Sequence, residues 1–161
     1  MKNIGWIGLG KMGLPMALRI ADQTCNLSVF NRTKAKTKDL VNVGASAETK
    51  IADVAKKSDI TITMVADDLA LEEVAFGPKG IIENARSNST FIDMSTVSPN
   101  LSSKISDAAA TRNVNYLRAP VNGTVMQAET STLVILVSGP QKIFEKHRNV
   151  FEIMGNKIFY I

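Results

Sequence analysis

Three glycines near the start of the chain have the spacing of a loop that holds a diphosphate. The motif is Gly8-Leu9-Gly10-Lys11-Met12-Gly13. An apolar run at residues 4–7 precedes it, and a helical pattern at residues 14–21 follows it. In that context the first glycine permits a tight turn, the second lets the backbone approach a pyrophosphate, and the third allows close packing of helix on strand. The diphosphate would lie on free N–H groups at the positive end of the helix dipole. A plain glycine turn is the alternative for the motif alone, and its strand and helix neighbours favour the cofactor.

The end of the second predicted strand, residues 27–30, indicates which dinucleotide is bound. Asn31-Arg32-Thr33 follow it, where an NAD-binding chain usually has an acid that accepts hydrogen bonds from the ribose 2′-OH. A carboxylate would repel a 2′-phosphate, whereas Arg32 has a planar guanidinium suited to gripping one. Thr33 adds a hydroxyl, and Lys36 lies one turn onward. We therefore predict NADP(H) over NAD(H). The alternative is that Lys34, Lys36 and Lys38 form only a solvated helix face.

Length and composition favour one globular domain, residues 1–161. The chain has 161 residues, a net charge of +4 and one cysteine. No apolar run is long enough for a membrane span, and the N-terminus lacks the features of a signal peptide. A single cysteine fits a reducing cytoplasm. The basic residues are dispersed with little aromatic interleaving, so neither nucleic acid nor membrane is an expected partner, and no metal ligands are predicted.

Strand-like and helix-like segments alternate along nearly the whole sequence. Strands are predicted at 4–7, 27–30, 45–46, 59–65, 89–94, 114–118, 132–138 and 157–161. Helices are predicted at 14–21, 33–43, 50–57, 69–76, 99–112 and 141–154. Such alternation predicts right-handed βαβ crossovers and hence an α/β fold with a Rossmann-like, doubly wound, mainly parallel sheet.

Small and hydroxylated residues follow the later strands, at the edge where ligands bind in this fold class. Residues 66–68, 95–99 and 119–124 suit hydrogen bonding to a nicotinamide, a ribose and a small carboxylate. Each has a structural alternative. Asp67 and Asp68 are better explained as helix caps, as is Ser98, while Thr96 is evenly balanced. Asn122-Gly123 alone is an ordinary turn dipeptide.

Taken together, these motifs resemble one known family. The segments at 8–17, 93–99 and 119–123 are similar to those of the β-hydroxyacid dehydrogenases. That family includes 3-hydroxyisobutyrate dehydrogenase, tartronate semialdehyde reductase and glyoxylate/succinic semialdehyde reductase, and is related to 6-phosphogluconate dehydrogenase. The resemblance covers the whole chain with the motifs in order. Asn31-Arg32-Thr33 resembles the members that use NADPH.

The resemblance implies a role for each matching residue. With Lys36, the cofactor-binding set is Gly8, Leu9, Gly10, Lys11, Met12, Gly13, Asn31, Arg32, Thr33, Val65, Ala66 and Thr96. The substrate-binding set is Ser95, Asn122, Gly123 and Thr124, and the substrate implied is a small carboxylate. Three positions depart from the family: Ala66 stands where many members have Pro, Thr124 replaces a usual Gly, and Arg118 replaces a common acid.

The family's catalytic Lys has no counterpart in this sequence. By the resemblance it lies beyond Ile161, on a long helix that leads to an all-helical second domain. We therefore expect the cofactor domain of a two-domain reductase that acts on a semialdehyde or 3-hydroxyacid. The chain alone is expected to be inactive and to self-associate, and the full-length protein to be a homo-oligomer. His147, between Lys146 and Arg148, is predicted to be exposed and not a catalytic base.

Two other classes remain open at this point. One is a stand-alone, non-catalytic NADP-binding module that acts as a sensor or interaction domain. The other is a single-domain short-chain reductase, which ranks last because neither Tyr116 nor Tyr160 begins the Tyr-x-x-x-Lys pair that such enzymes need.

Overall fold

Strands and helices alternate throughout the computed structural model, which describes residues 2–23 and 25–161. The strands are β1 (Lys2–Ile7), β2 (Cys25–Phe30), β3 (Ser46–Ala47), β4 (Ile60–Thr63), β5 (Thr90–Asp93), β6 (Asn115–Arg118), β7 (Val121–Asn122), β8 (Leu133–Val137) and β9 (Gly155–Tyr160). The helices are α1 (Gly13–Ala21), α2 (Lys38–Asn42), α3 (Ile51–Lys57), α4 (Asp68–Ala75), α5 (Ile81–Asn84), α6 (Pro99–Thr111), α7 (Val125–Glu129) and α8 (Gln141–Met154), and a short 3-10 helix (Lys34–Thr37) precedes α2.

The larger sheet is parallel and has the strand order β3-β2-β1-β4-β5-β6. β1 lies near the middle, with β2 on one side and β4 on the other. The loops that leave β1 and β4 therefore run in opposite directions and open a crevice between them, the place where doubly wound folds bind ligands. The prediction of a Rossmann-like α/β fold is confirmed.

Helices cover both faces of this sheet, and each face has its own apolar core. In β1, Trp6 belongs to the core under α1 and α8, whereas Ile7 belongs to the core under α3 to α6. In β5, Ile92 belongs to the core under α1 and α8, and Phe91 belongs to the core under α3 to α6. Because both faces are covered, every residue of β4 and of β5 is buried, including the threonines of β4 and the Asp93 side chain at the end of β5.

The last strands form a second, smaller sheet. β8 pairs antiparallel with β7 and parallel with β9. Arg118 at the end of β6 exchanges backbone hydrogen bonds with Ser138, which links the two sheets. The sequence predicted strands at 132–138 and 157–161 but not their separation from the main sheet, because pairing depends on contacts distant in the chain.

Most predicted elements are present, with a few differences. The helix predicted at 33–43 is a 3-10 helix followed by α2, and the Thr37 hydroxyl donates to the Lys34 carbonyl inside the first of these, at 2.8 Å. The short elements α5, β7 and α7 were not predicted. Asp67 caps α4 by accepting from the Ala70 N–H, and Ser98 caps α6 by accepting from the Leu101 N–H, so these two capping predictions are confirmed. Asp68 is the first residue of α4 and does not cap it; its Oδ1 accepts from the Ser98 N–H at 2.8 Å. Among the described residues, no helix is long and apolar enough to cross a membrane.

Candidate functional site

The glycine loop joins β1 to α1 at the carboxyl edge of the sheet. Gly8 has φ +103° and donates its N–H to the Phe30 carbonyl at 3.1 Å, while its own carbonyl accepts from Trp6 Nε1 at 2.9 Å. A Cβ on Gly8 would overlap the Met64 carbonyl, and a Cβ on Gly13 would overlap the Gly8 carbonyl. A Cβ on Gly10 would meet nothing within 4 Å. Gly8 and Gly13 are therefore required by the fold itself, and Gly10 faces open space.

The N-terminus of α1 is open toward this space. Within residues 2–23 and 25–161, no side chain caps this helix, and its first turn contains no acid. The positive end of the helix dipole is thus available to an anion, and so are the N–H groups of residues 10–13, none of which donates to a backbone carbonyl among the described residues. Inside the helix, the Leu14 N–H donates to the Gly10 carbonyl at 3.1 Å and Pro15 has no N–H. This arrangement fits a diphosphate, since backbone N–H groups can bind it without a side chain between them.

Asn31 at the end of β2 connects the glycine loop to the segment that follows β2. Its Oδ1 accepts from the Leu9 N–H at 2.8 Å, and its Nδ2 donates to the Thr33 carbonyl at 2.9 Å. Both ends of the amide are therefore used within the protein. The neighbouring side chains of Arg32, Thr33 and Lys36 are exposed.

A single cleft of about 570 Å³ joins these features, a volume within the usual range for small-molecule sites. It extends along the carboxyl edge of the sheet from the end of β2 to the loop after β5. All the predicted cofactor residues line it: Gly8, Leu9, Gly10, Lys11, Met12, Gly13, Asn31, Arg32, Thr33, Lys36, Val65, Ala66 and Thr96. Sequence reasoning missed six further lining residues: Phe30, Ile51, Met64, Ala70, Glu73 and Val74.

Those six residues have a positional signal in common. Each lies at or just beyond the end of a strand, or in the first turns of the helix that follows, where neighbouring elements converge. Most are apolar, so they give the cleft a surface suited to a flat aromatic ring. Glu73 on α4 is an acid, but it does not stand directly after β2, where a ribose-binding acid is usual.

The predicted substrate residues lie outside this cleft. Ser95 is fully buried, and its Oγ accepts from the Val65 N–H at 2.9 Å, so the hydroxyl lies beneath the cleft. Thr124 caps α7 in a capping box with Gln127, whose Oε1 accepts from the Thr124 N–H at 2.7 Å. Asn122 and Gly123 are exposed just before that cap. A substrate role for Asn122, Gly123 and Thr124 stays a prediction.

The prediction that His147 is exposed is wrong. It is only 4% exposed, on the inner face of α8, with Nε2 lying 3.0 Å from Thr90 Oγ1. Burial lowers the pKa of His147 to about 4, and the charges of Lys2 and Lys146 act in the same direction. Thr90 begins β5, so this histidine lies at the edge of the sheet opposite the cleft. It is a neutral packing residue.

Fold and cleft together define an NAD(P)-binding domain of the Rossmann type. Residues 3–161 match the family described as the NAD binding domain of 6-phosphogluconate dehydrogenase, and the chain belongs to that family. Its relatives include β-hydroxyacid dehydrogenases and other oxidoreductases.

Three comparisons illustrate the relationship. The uncharacterized oxidoreductase YkwC of Bacillus subtilis is 41% identical over 159 residues, which are 99% of this chain and 55% of the relative. Glyoxylate/succinic semialdehyde reductase 1 of Arabidopsis thaliana is 35% identical over the same shares. The 3-hydroxyisobutyrate dehydrogenase of Mycobacterium tuberculosis, solved with L-serine, superposes with a TM-score of 0.92 at 26% identity and covers 99% of this chain and 54% of its own. The chain thus spans about half the length of the relatives it matches.

Proposed function

We propose that this chain is the cofactor domain of a two-domain reductase and that it binds NADP(H) in preference to NAD(H). The observation that supports this most is one continuous cleft with the open N-terminus of α1 at its centre and Arg32 at its β2 side. The bound cofactor would supply a hydride at its nicotinamide ring.

Each part of the cleft suits one part of the cofactor. The N–H groups of residues 10–13 would bind the diphosphate, because they donate to no backbone carbonyl among the described residues and lie at the positive end of the α1 dipole. Arg32, Thr33 and Lys36 would bind the 2′-phosphate, since all three are exposed at the end of β2. The second nucleotide would then extend across the ends of β4 and β5, toward Val65, Ala66 and Thr96.

For the whole protein we propose hydride transfer between NADPH and a small semialdehyde or 3-hydroxyacid with a carboxylate. A lysine beyond residue 161 would move the proton, as the family resemblance implies. We also propose a cytoplasmic location and a homo-oligomeric full-length protein. The reductases and dehydrogenases among the relatives support the reaction class.

The experiment is a calorimetric titration of the chain with NADPH and with NADH, repeated on Arg32→Ala. A charge-assisted hydrogen bond contributes roughly 1.5–3 kcal/mol, so we expect Arg32→Ala to weaken NADPH binding about tenfold or more and to leave NADH binding unchanged.

Lys38→Ala is the matched control. It removes one positive charge from an exposed residue close to Arg32 that does not line the cleft. We expect it to leave both affinities within about twofold, because exposed charges at a distance are screened by salt. Equal affinities of the unmodified chain for NADPH and NADH would refute the preference, and binding of neither would refute the cofactor domain.

A further inference from the structure

The segment after β5, residues 95–98, is held in place by side chains from its surroundings. The Ser95 N–H donates to Asp93 Oδ1 at 3.2 Å, and the Ser95 hydroxyl accepts from the Val65 N–H. The Ser98 N–H donates to Asp68 Oδ1 at 2.8 Å, which ties the segment to α4. Ser95 and Val97 are buried, while Thr96 between them is exposed and lines the cleft. The fixed residues on either side thus decide where Thr96 points.

Arg118 fixes this segment at Val97. It is the last residue of β6 and is half-buried, and its guanidinium donates to the Val97 carbonyl at 2.9 Å. It is also the register partner of Asp93 on the neighbouring strand. The guanidinium therefore holds the segment at Val97, and its charge also acts on the Asp93 carboxylate, which accepts from the Ser95 N–H.

The side chain of Asp93 is completely buried, so a positive charge nearby stabilises its carboxylate. Oδ1 accepts from the Thr63 hydroxyl at 2.8 Å, whereas Oδ2 has no hydrogen-bond partner among the described residues, and the same holds for Arg118 Nε. Burial raises the pKa of Asp93, and its hydrogen bonds and the charge of Arg118 oppose that rise. A cation adjacent to the carboxylate reduces the cost of burying it.

We propose that Arg118 is a positioning residue for the nicotinamide half of the cleft. It fixes residues 95–98 and thereby holds Thr96 where the second nucleotide would cross the ends of β4 and β5. It also holds Val65 there, because the Val65 N–H donates to the Ser95 hydroxyl. Arg118 itself does not line the cleft. The adenosine half lies on the other side of β1, so its site is independent of Arg118. This inference rests on the proposed cofactor binding.

The test compares two ligands on the same variants. NADPH reaches both halves of the cleft, whereas adenosine 2′,5′-bisphosphate has only the adenosine half and its phosphates. We expect Arg118→Met to weaken NADPH binding by up to about tenfold, because the cost of fixing residues 95–98 on binding is at most that of the one hydrogen bond lost, and to leave the bisphosphate within about twofold. Arg118→Lys keeps a cation with a single donor group, so it should show a smaller loss that is again confined to NADPH.

Arg112→Met is the matched control. Its guanidinium also donates to a backbone carbonyl, that of Glu83 at 3.1 Å, but Arg112 does not line the cleft and is not part of the 95–98 segment's support. It should leave both ligands unchanged, which separates positioning from a general loss of positive charge. If circular dichroism shows that Arg118→Met is unfolded, Arg118→Lys decides the question.

The outcomes distinguish the two proposals. A loss confined to NADPH supports the positioning role. Equal loss of both ligands, or loss of neither, overturns it while the cofactor domain stands. If the unmodified chain binds neither NADPH nor the bisphosphate, the proposed function fails and this inference fails with it.

Discussion

Acidification from about pH 7 to about pH 4.5 is expected to destabilise the folded chain through His147. In the folded state its pKa is about 4, compared with 6.5 for an ordinary histidine, because the ring is buried against Thr90 on the inner face of α8. Below the ordinary value the unfolded chain binds a proton that the folded chain does not. The free energy of unfolding therefore falls as the pH drops from 6.5 toward 4, and this contribution levels off below that.

The size of the effect follows from the two pKa values. One pKa unit corresponds to 1.36 kcal/mol, so the full effect is about 3 kcal/mol, of which about 2 kcal/mol is reached at about pH 4.5. A domain of this kind has a total stability of about 5–15 kcal/mol, so the loss is a substantial fraction.

Urea unfolding of the unmodified chain and of His147→Gln, each at both pH values, measures the effect. Glutamine can still hydrogen-bond the Thr90 hydroxyl but does not titrate. Asp93 acts in the opposite direction, because burial raises its pKa above 3.8 and acidification relieves the cost of its buried charge. Since both proteins contain Asp93, their difference isolates the histidine. An equal pH dependence in the two proteins would refute the reasoning.

Three further predictions concern two glycines of the loop and the reaction. Gly13→Ala should lower the thermal midpoint by several degrees or more, because its Cβ would overlap the Gly8 carbonyl. Gly10→Ala should leave the thermal midpoint unchanged, because its Cβ would meet no protein atom within 4 Å. The same Cβ would project into the cleft that the cofactor is proposed to occupy, so it should weaken NADPH binding. An unchanged affinity in the titration would contradict this. The 161-residue chain should show no turnover of NADPH with glyoxylate or succinic semialdehyde, since no lysine in it matches the family's proton donor. Robust turnover in a steady-state assay would mean that a proton donor lies within these residues.

The elements that the sequence predicted well have strong local signals. α8 has the predicted bounds, and α6 begins at Pro99 behind the Ser98 cap, because helix period and capping residues act within a few positions. The glycine motif with Asn31-Arg32-Thr33 located the cleft because the ends of neighbouring parallel strands must meet.

The features that were missed depend on the fold as a whole. α5 and α7 have four and five residues, too few to show a period. His147 was assigned to the surface because of its charged neighbours, although helix period places it with Phe144 and Phe151, three and four residues away on the buried face. That spacing was available in the sequence. The contact of Arg118 with Val97 was not, because it joins two segments whose proximity comes from the order of the strands.

The two hydrogen bonds of Asn31 constrain how cofactor preference can change, in evolution or in the laboratory. An Asp at this position could still accept from the Leu9 N–H, but it would lose the donor that the Thr33 carbonyl accepts from and place a negative oxygen against that carbonyl. Arg32 and Thr33 have no such tie to the glycine loop. If the proposed preference for NADP(H) holds, a switch toward NAD(H) is therefore most accessible through substitutions at positions 32 and 33 that retain the Asn31 amide and its two hydrogen bonds.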